Sequence, residues 1–125
     1  MNVPTELLYT KEHEWVRLEN NVATIGITDY AQGELGDIVY VELPAVDAET
    51  AEMKAFGTIE AVKTVSDLFA PLTGQVIEVN SKLAEQPELI NTDCYGEGWI
   101  IKIKLASPQE VKQLLSPKDY EALLK

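Results

Sequence analysis

Three side chains in this 125-residue sequence invite a chemical reading: Lys63, the lone Cys94 and the lone His13. Lys63 interrupts an otherwise β-forming stretch, Val62-Lys63-Thr64-Val65. An amine at the tip of a tight hairpin suits covalent attachment. A ligase needs it exposed and held at a defined angle, and the attached group must then swing freely. On spacing alone, an ordinary solvated lysine at a turn is the simpler reading. One cysteine excludes an internal disulfide and a multi-thiolate metal site, and one histidine excludes a His-rich site or a His–His acid–base pair. A Cys94–His13 nucleophile–base couple remains formally open, but no orienting motif surrounds either residue, and a lone cysteine defaults to a small buried hydrophobe. No constellation of nucleophile, base and oxyanion donors can be assembled, which argues against an enzyme.

The elements that must hold these residues are mostly strands. Alternation and β-branching predict strands at Glu14–Leu18 and Val22–Ile27, joined by the turn Glu19-Asn20-Asn21, and at Asp37–Leu43, closed by Pro44. Further strands are expected at Phe56–Val62, Val65–Ala70, Gly74–Val79 and Trp99–Leu105. Lys63 therefore falls between two paired strands. The period changes in the tail. Ser107-Pro108-Gln109-Glu110 and Ser116-Pro117-Lys118-Asp119 each offer an N-cap, a proline at the first helical position and an acid at the third, predicting two short helices. Alternation also puts His13 and Trp15 on one face of their strand and Glu14 on the other. Trp15 reads as core or rim packing, and His13 as a structural hydrogen-bonding group.

An internal similarity organises these elements. Ile27-Thr28-Asp29-Tyr30 with Gly36 to Val41 matches Val65-Ser66-Asp67-Leu68 with Gly74 to Val79, Ser66 standing 38 positions after Thr28 (66 − 28). The same offset sets Lys63 opposite the apolar Ile25. Chance similarity between two β segments is the competing reading. A genuine repeat implies two pseudo-symmetric halves, each too small to bury its own face, folding as a flattened β-barrel or sandwich. The expected organisation is one domain over 1–125, with a core at about 8–106 and C-terminal helices at 107–125.

Acidic residues outnumber basic ones 21 to 10, for a formal charge of −11. Such a surface repels phosphate backbones and argues against nucleic-acid binding. It would speed encounters with partners presenting basic patches, although solubility alone would also account for it. No apolar run reaches membrane-spanning length, so no membrane partner is expected. Met1 to Leu8 shows neither a secretory signal nor a transit peptide. The expectation is a cytoplasmic protein or the mature form of an organelle-matrix protein, and a monomer.

Gly57-Thr58-Ile59-Glu60-Ala61-Val62-Lys63-Thr64-Val65-Ser66-Asp67, followed by Ala70-Pro71-Leu72-Thr73-Gly74, resembles the lipoylation segment of glycine cleavage H-proteins. That family places an acid-x-Val-Lys-x-x-Ser-Asp block ahead of a Pro-x-Ser/Thr-Gly turn. Three further blocks resemble it in order: Tyr9 to Val16; Gly26 to Gln32 with Leu35 to Val39; and Pro87 to Asn91 through Tyr95 to Trp99. Together they cover nearly the whole chain. Cys94 stands where the family usually has proline, and Ala61 where it usually has serine; both departures are expected to act locally, on a loop and on ligase recognition. Met53-Lys54 faintly resembles the Met-Lys of biotin-carrying domains but lacks the flanking small residue, so Lys54 reads as a surface lysine.

The resemblance implies a lipoyl/biotinyl-like barrel-sandwich hybrid with lipoate attached covalently to Lys63. It implies a shuttle in the glycine cleavage system, carrying an aminomethyl unit from glycine decarboxylase to an aminomethyltransferase, with dihydrolipoamide dehydrogenase reoxidising the dithiol. A lipoate ligase or lipoyltransferase would load it. The carrier itself would catalyse none of these steps. A cationic, water-labile cargo needs shelter and an anionic or hydroxyl partner. The resemblance places those contacts at Glu14 and Asp67, with Glu12 as an optional third acid; the plainer reading is solvated strand-end carboxylates, or for Asp67 a turn cap matching Asp29. Two alternatives share the sequence: a lipoyl relay protein that donates lipoyl groups to other enzymes, and a non-acylated binding module that has kept the fold.

Overall fold

The computed structural model describes residues 2–125. Among the described residues nine strands form two sheets. β1 (Leu8–Tyr9), β2 (Glu14–Glu19), β3 (Val22–Ile27), β5 (Glu49–Thr50), β8 (Gly74–Val79) and β9 (Ile101–Leu105) make a six-stranded sheet in the order β1-β2-β3-β9-β8-β5. β4 (Ile38–Glu42), β6 (Ala55–Ala61) and β7 (Val65–Phe69) make a three-stranded sheet in the order β4-β6-β7. All pairings are antiparallel. The sheets pack as a sandwich and do not close into a barrel, so the mostly-β expectation holds in its sandwich form.

Alternation explains the packing. Val16, Ala23, Ile25, Ile27, Val76, Ile101 and Ile103 from the large sheet meet Ile38, Val41, Ile59 and Leu68 from the small one, forming the inter-sheet core. The opposite face of the large sheet carries a second cluster of Leu7, Tyr9, Trp15 and Tyr120. β3 is buried on both faces because Trp15, paired with Gly26, lays its indole where a side chain would otherwise stand; a Cβ on Gly26 would lie 2.6 Å from that ring. Sequence alternation thus placed Trp15 and Glu14 on opposite faces correctly. It failed for His13, which precedes the strand with a left-handed backbone (φ 69°) and so leaves the strand's register.

The expected strand positions hold to within one or two residues, apart from the short β1 and β5, which carry too few residues to show a period. Helices depart further. Between β3 and β4 runs α1 (Asp29–Leu35), a stretch to which the sequence pattern assigns no element. Thr28 caps it by accepting from Ala31 N, and Gly36 ends it at φ 82°. Both members of the repeat carry the chain from one sheet to the other, β3 to β4 and β7 to β8. Locally they differ: Thr28-Asp29 opens a helix, whereas Ser66-Asp67 sits inside β7. A 3-10 turn at Ser81–Ala84 and the single-turn α2 (Leu89–Thr92) lead into β9.

In the tail, Ser116 caps α3 (Pro117–Leu123) through Asp119 N as its spacing predicts. The segment after Ser107 instead forms a 3-10 helix, Pro108–Gln113, and Ser107 makes no side-chain cap. Glu110, read as a capping acid, accepts from Thr73 N (2.6 Å) and Thr73 Oγ1 (2.8 Å), docking the tail onto the β7–β8 turn. Among the described residues no helix is long and apolar enough to cross a membrane.

Candidate functional site

Lys63 lies in the loop Val62-Lys63-Thr64 that joins β6 to β7, and its side chain is exposed. The loop is held at both sides: Ala61 N donates to Thr64 O (2.7 Å), and Val62 N donates to Asp37 O (3.0 Å). The first bond closes the hairpin and the second ties it to the strand beyond. The lysine stem passes over Gly36; a Cβ there would sit 3.5 Å from Lys63 Cε, an ordinary contact, so it is the left-handed φ of 82° and not lack of space that calls for glycine. The neighbouring Val62 and Val65 are also exposed. A tethered backbone carrying a free side chain meets the geometric demand placed on an acylation site.

Beside this hairpin a cleft of about 200 Å³ opens between the two sheets and α1. Its apolar wall comprises Ile27, Ala31, Leu35, Ile59 and Leu68, and its polar groups are Glu12, His13, Glu14, Tyr30, Glu34, Ser66 and Asp67. The three acids singled out from the sequence, Glu12, Glu14 and Asp67, therefore meet at one cleft. Among the described residues no lysine or arginine lines it.

The acids are not equivalent. Glu14 lies on the core side of β2, opposite Ile27, and is 2% exposed. Thr10 Oγ1 donates to its Oε1 at 2.6 Å, and Thr10 Oγ1 in turn accepts from Glu12 N and Glu14 N. Burial pushes the Glu14 carboxyl up to about 8, against the opposing hydrogen bonds from Thr10 and the Phe69 backbone; the Glu12 charge adds to the rise. In the free protein at neutral pH it is mainly protonated. Glu12 and Asp67 are exposed at the mouth. Asp67 pairs with Thr58 across β6–β7, on the strand that begins two residues after Lys63.

Sequence reasoning missed two lining residues, Glu34 and Tyr30, because both sit on α1. The Tyr30 hydroxyl donates to Glu34 Oε1 at 3.3 Å. The signal was present: Thr28-Asp29 is a helix start, Gly36 a helix stop, and residues 30 and 34 are one turn apart.

The other chemical candidates fall away. His13 Nδ1 is hydrogen-bonded to Tyr120 Oη at 2.8 Å. Burial pushes the Cys94 thiol up to about 12, the Asp29 charge adding to it, and the Cys94 carbonyl accepts from Trp15 Nε1. Neither residue is an activated nucleophile or its base. Ala61 is buried at the end of β6, and Lys54 is exposed. Among the described residues no cluster of His, Cys, Asp and Glu could hold a metal ion.

The family model for the glycine cleavage H-protein matches residues 7–125. A glycine cleavage system H protein of Symbiobacterium thermophilum is 54% identical over 124 residues, covering 99% of this chain and 97% of that one. Proteins of the same name from Staphylococcus epidermidis (52% identical, 99% and 98% covered) and Carboxydothermus hydrogenoformans (51%, 98% and 94% covered) match equally fully. The crystal structure of a glycine cleavage system H protein from Mycobacterium marinum superposes with a TM-score of 0.89 at 36% identity, covering 96% of this chain and 97% of that one. The chain belongs to the glycine cleavage H-protein family.

Proposed function

We propose that this chain is the lipoyl-carrying shuttle of a glycine cleavage system, with lipoate in amide linkage to Lys63 Nζ. The observation that carries the reading is the exposed Lys63 on a tethered hairpin, with an acidic cleft opening beside the same sheet. The residues fit the group: an apolar wall suits a dithiolane ring, and four carboxyl groups without a competing cation suit an amine. When bound, lipoate supplies a disulfide that accepts the aminomethyl unit and a dithiol that must later be reoxidised.

The reach is adequate. Asp67 lies four residues along the chain from Lys63, about 13 Å at β-strand rise. A lipoyl-lysine arm spans about eleven bonds from Cα to the ring, or roughly 14 Å when extended. An arm of that length on Lys63 would reach the cleft without movement of the backbone. Inside, the apolar wall excludes the water that would hydrolyse the cargo. An ammonium held beside Glu14 would favour its carboxylate form, the proton passing to solvent at the cleft mouth. Asp67 and Glu12 hold negative charge at the mouth, and Thr10 keeps the Glu14 carboxyl oriented.

The chain thus acts as a carrier rather than a catalyst, working as one domain and as a monomer in the cytoplasm or an organelle matrix. Its partners are glycine decarboxylase, the aminomethyltransferase, dihydrolipoamide dehydrogenase and a lipoate ligase or lipoyltransferase. Reconstitution with glycine decarboxylase tests this: the lipoylated chain is expected to support glycine–bicarbonate exchange. A lipoylated chain that supported none would overturn the shuttle reading in favour of a relay of lipoyl groups.

A further inference from the structure

Tyr120 reaches the cleft's walls from an element the carrier reading leaves idle, the C-terminal helix α3. It is fully buried and stacks on Tyr9, with ring centroids 4.7 Å apart and planes 9° from parallel. Its hydroxyl lies 2.8 Å from His13 Nδ1 and 2.7 Å from Thr28 Oγ1. His13 lines the cleft, and Thr28 caps α1, which forms one wall.

The direction of these hydrogen bonds follows from counting protons. Thr28 is fully buried, and its Oγ1 already accepts from Ala31 N at 3.2 Å. Among the described residues, Tyr120 Oη is the only hydrogen-bond partner of Thr28 Oγ1 besides Ala31 N, and hence the only acceptor its hydroxyl proton can reach. Thr28 therefore donates to Tyr120, and Tyr120 spends its own proton on His13 Nδ1. The chain Ala31 N–H to Thr28 O–H to Tyr120 O–H to His13 Nδ1 satisfies every member. Reversing it, with a proton on Nδ1 donated to Tyr120, strands one buried hydroxyl proton, that of Thr28 or that of Tyr120, which is costly. Protonating His13 to a cation demands that same reversal.

We infer that Tyr120 is a positioning residue that holds His13 neutral with its proton on Nε2, so that no cation faces the amine the cleft receives. The charged and titratable groups around the imidazole are Glu12 and Glu14 on its own segment, Tyr30 and Glu34 on α1, Asp67 on β7 and Tyr120 itself. Glu12 and Glu34 favour a cationic ring, but burial outweighs them and holds His13 below its ordinary range. Burial pushes the Tyr120 hydroxyl up to about 12, so its donor proton is present throughout the working range. The cleft role rests on the carrier reading; the protonation state does not.

The chain has a single histidine, so its ring nitrogens can be read without ambiguity from long-range proton–nitrogen correlation spectra of the unmodified protein. Near neutral pH the wild type is expected to show a protonated Nε2 and an unprotonated Nδ1. Tyr120→Phe keeps the stacked ring and is expected to mix the two tautomers and raise the His13 midpoint by about half a pH unit or more. Thr28→Ser retains the hydroxyl and is expected to keep the wild-type pattern. A proton on Nδ1 in the wild type overturns the inference whether or not Tyr120→Phe folds, and so does an unchanged tautomer and midpoint in a folded Tyr120→Phe. With the lipoylated, aminomethyl-loaded protein at pH 6, Tyr120→Phe is expected to lose cargo several-fold faster than wild type. Equal loss rates would overturn the link to the cleft while leaving the Lys63 assignment untouched.

Discussion

At the scale of single residues, Glu14 sets the sharpest conflict. It is 2% exposed, and Thr10 Oγ1 donates to its carboxyl. The buried form is neutral, so the native state keeps a proton that the unfolded chain releases above its ordinary value of 4.5. Stability conferred by the native fold therefore falls as pH rises from about 4.5 to about 8 and then levels off. Glu14→Gln preserves an acceptor for Thr10 and removes the titration. Urea unfolding is expected to show the variant about 2–4 kcal/mol more stable relative to wild type at pH 8.5 than at pH 4.5. Its cost appears in function: Glu14→Gln combined with Asp67→Asn should release aminomethyl cargo faster than wild type, measured as formaldehyde evolution, and an unchanged rate removes both acids from the mechanism. Lys63, Glu12, Glu14 and Asp67 were nameable from the sequence because their blocks resemble a family pattern. The convergence of the three acids on one cleft was not, since strand alternation gives faces but not which strand ends meet across two sheets.

At the scale of elements, the longer strands and the C-terminal α3 were readable, whereas the short β1 and β5 and the helix α1 were not. Strands such as Val22–Ile27 announce themselves through β-branching, whereas α1 packs only seven residues between Thr28 and Gly36, too few for a clear helical period. The 38-residue similarity pointed to matching halves, and at α1 it hid a helix where its partner has a strand. Two contacts that no pattern exposes fix how elements meet. Trp15 covers Gly26, so Gly26→Ala forces the indole aside and is expected to cost about 1–3 kcal/mol by chemical denaturation. Glu110 ties the tail to the β7–β8 turn through Thr73 N and Oγ1, so Glu110→Ala is expected to cost about 1–2 kcal/mol. Gly33 has no atom near its absent Cβ, so Gly33→Ala at that exposed helical site should leave stability unchanged or slightly raised, a matched control for Gly26.

At the scale of the whole molecule, charge and architecture address different steps. The sandwich holds one lysine out from a hairpin, while a formal charge of −11 lies over a surface whose two ion pairs among the described residues are both exposed. Long-range attraction to basic partner surfaces would speed encounter and be screened by salt. The second-order rate of loading by a lipoate ligase is expected to fall several-fold between about 20 and 300 mM monovalent salt, with little change in the rate of the chemical step. All of these roles depend on where the arm is anchored. Co-expression with a lipoate ligase, proteolysis and peptide mass spectrometry tests that directly. The expected result is one lipoyl increment on the peptide containing Lys63 and none in Lys63→Arg. An increment on another lysine, or none on a well-folded wild-type chain, would contradict the account.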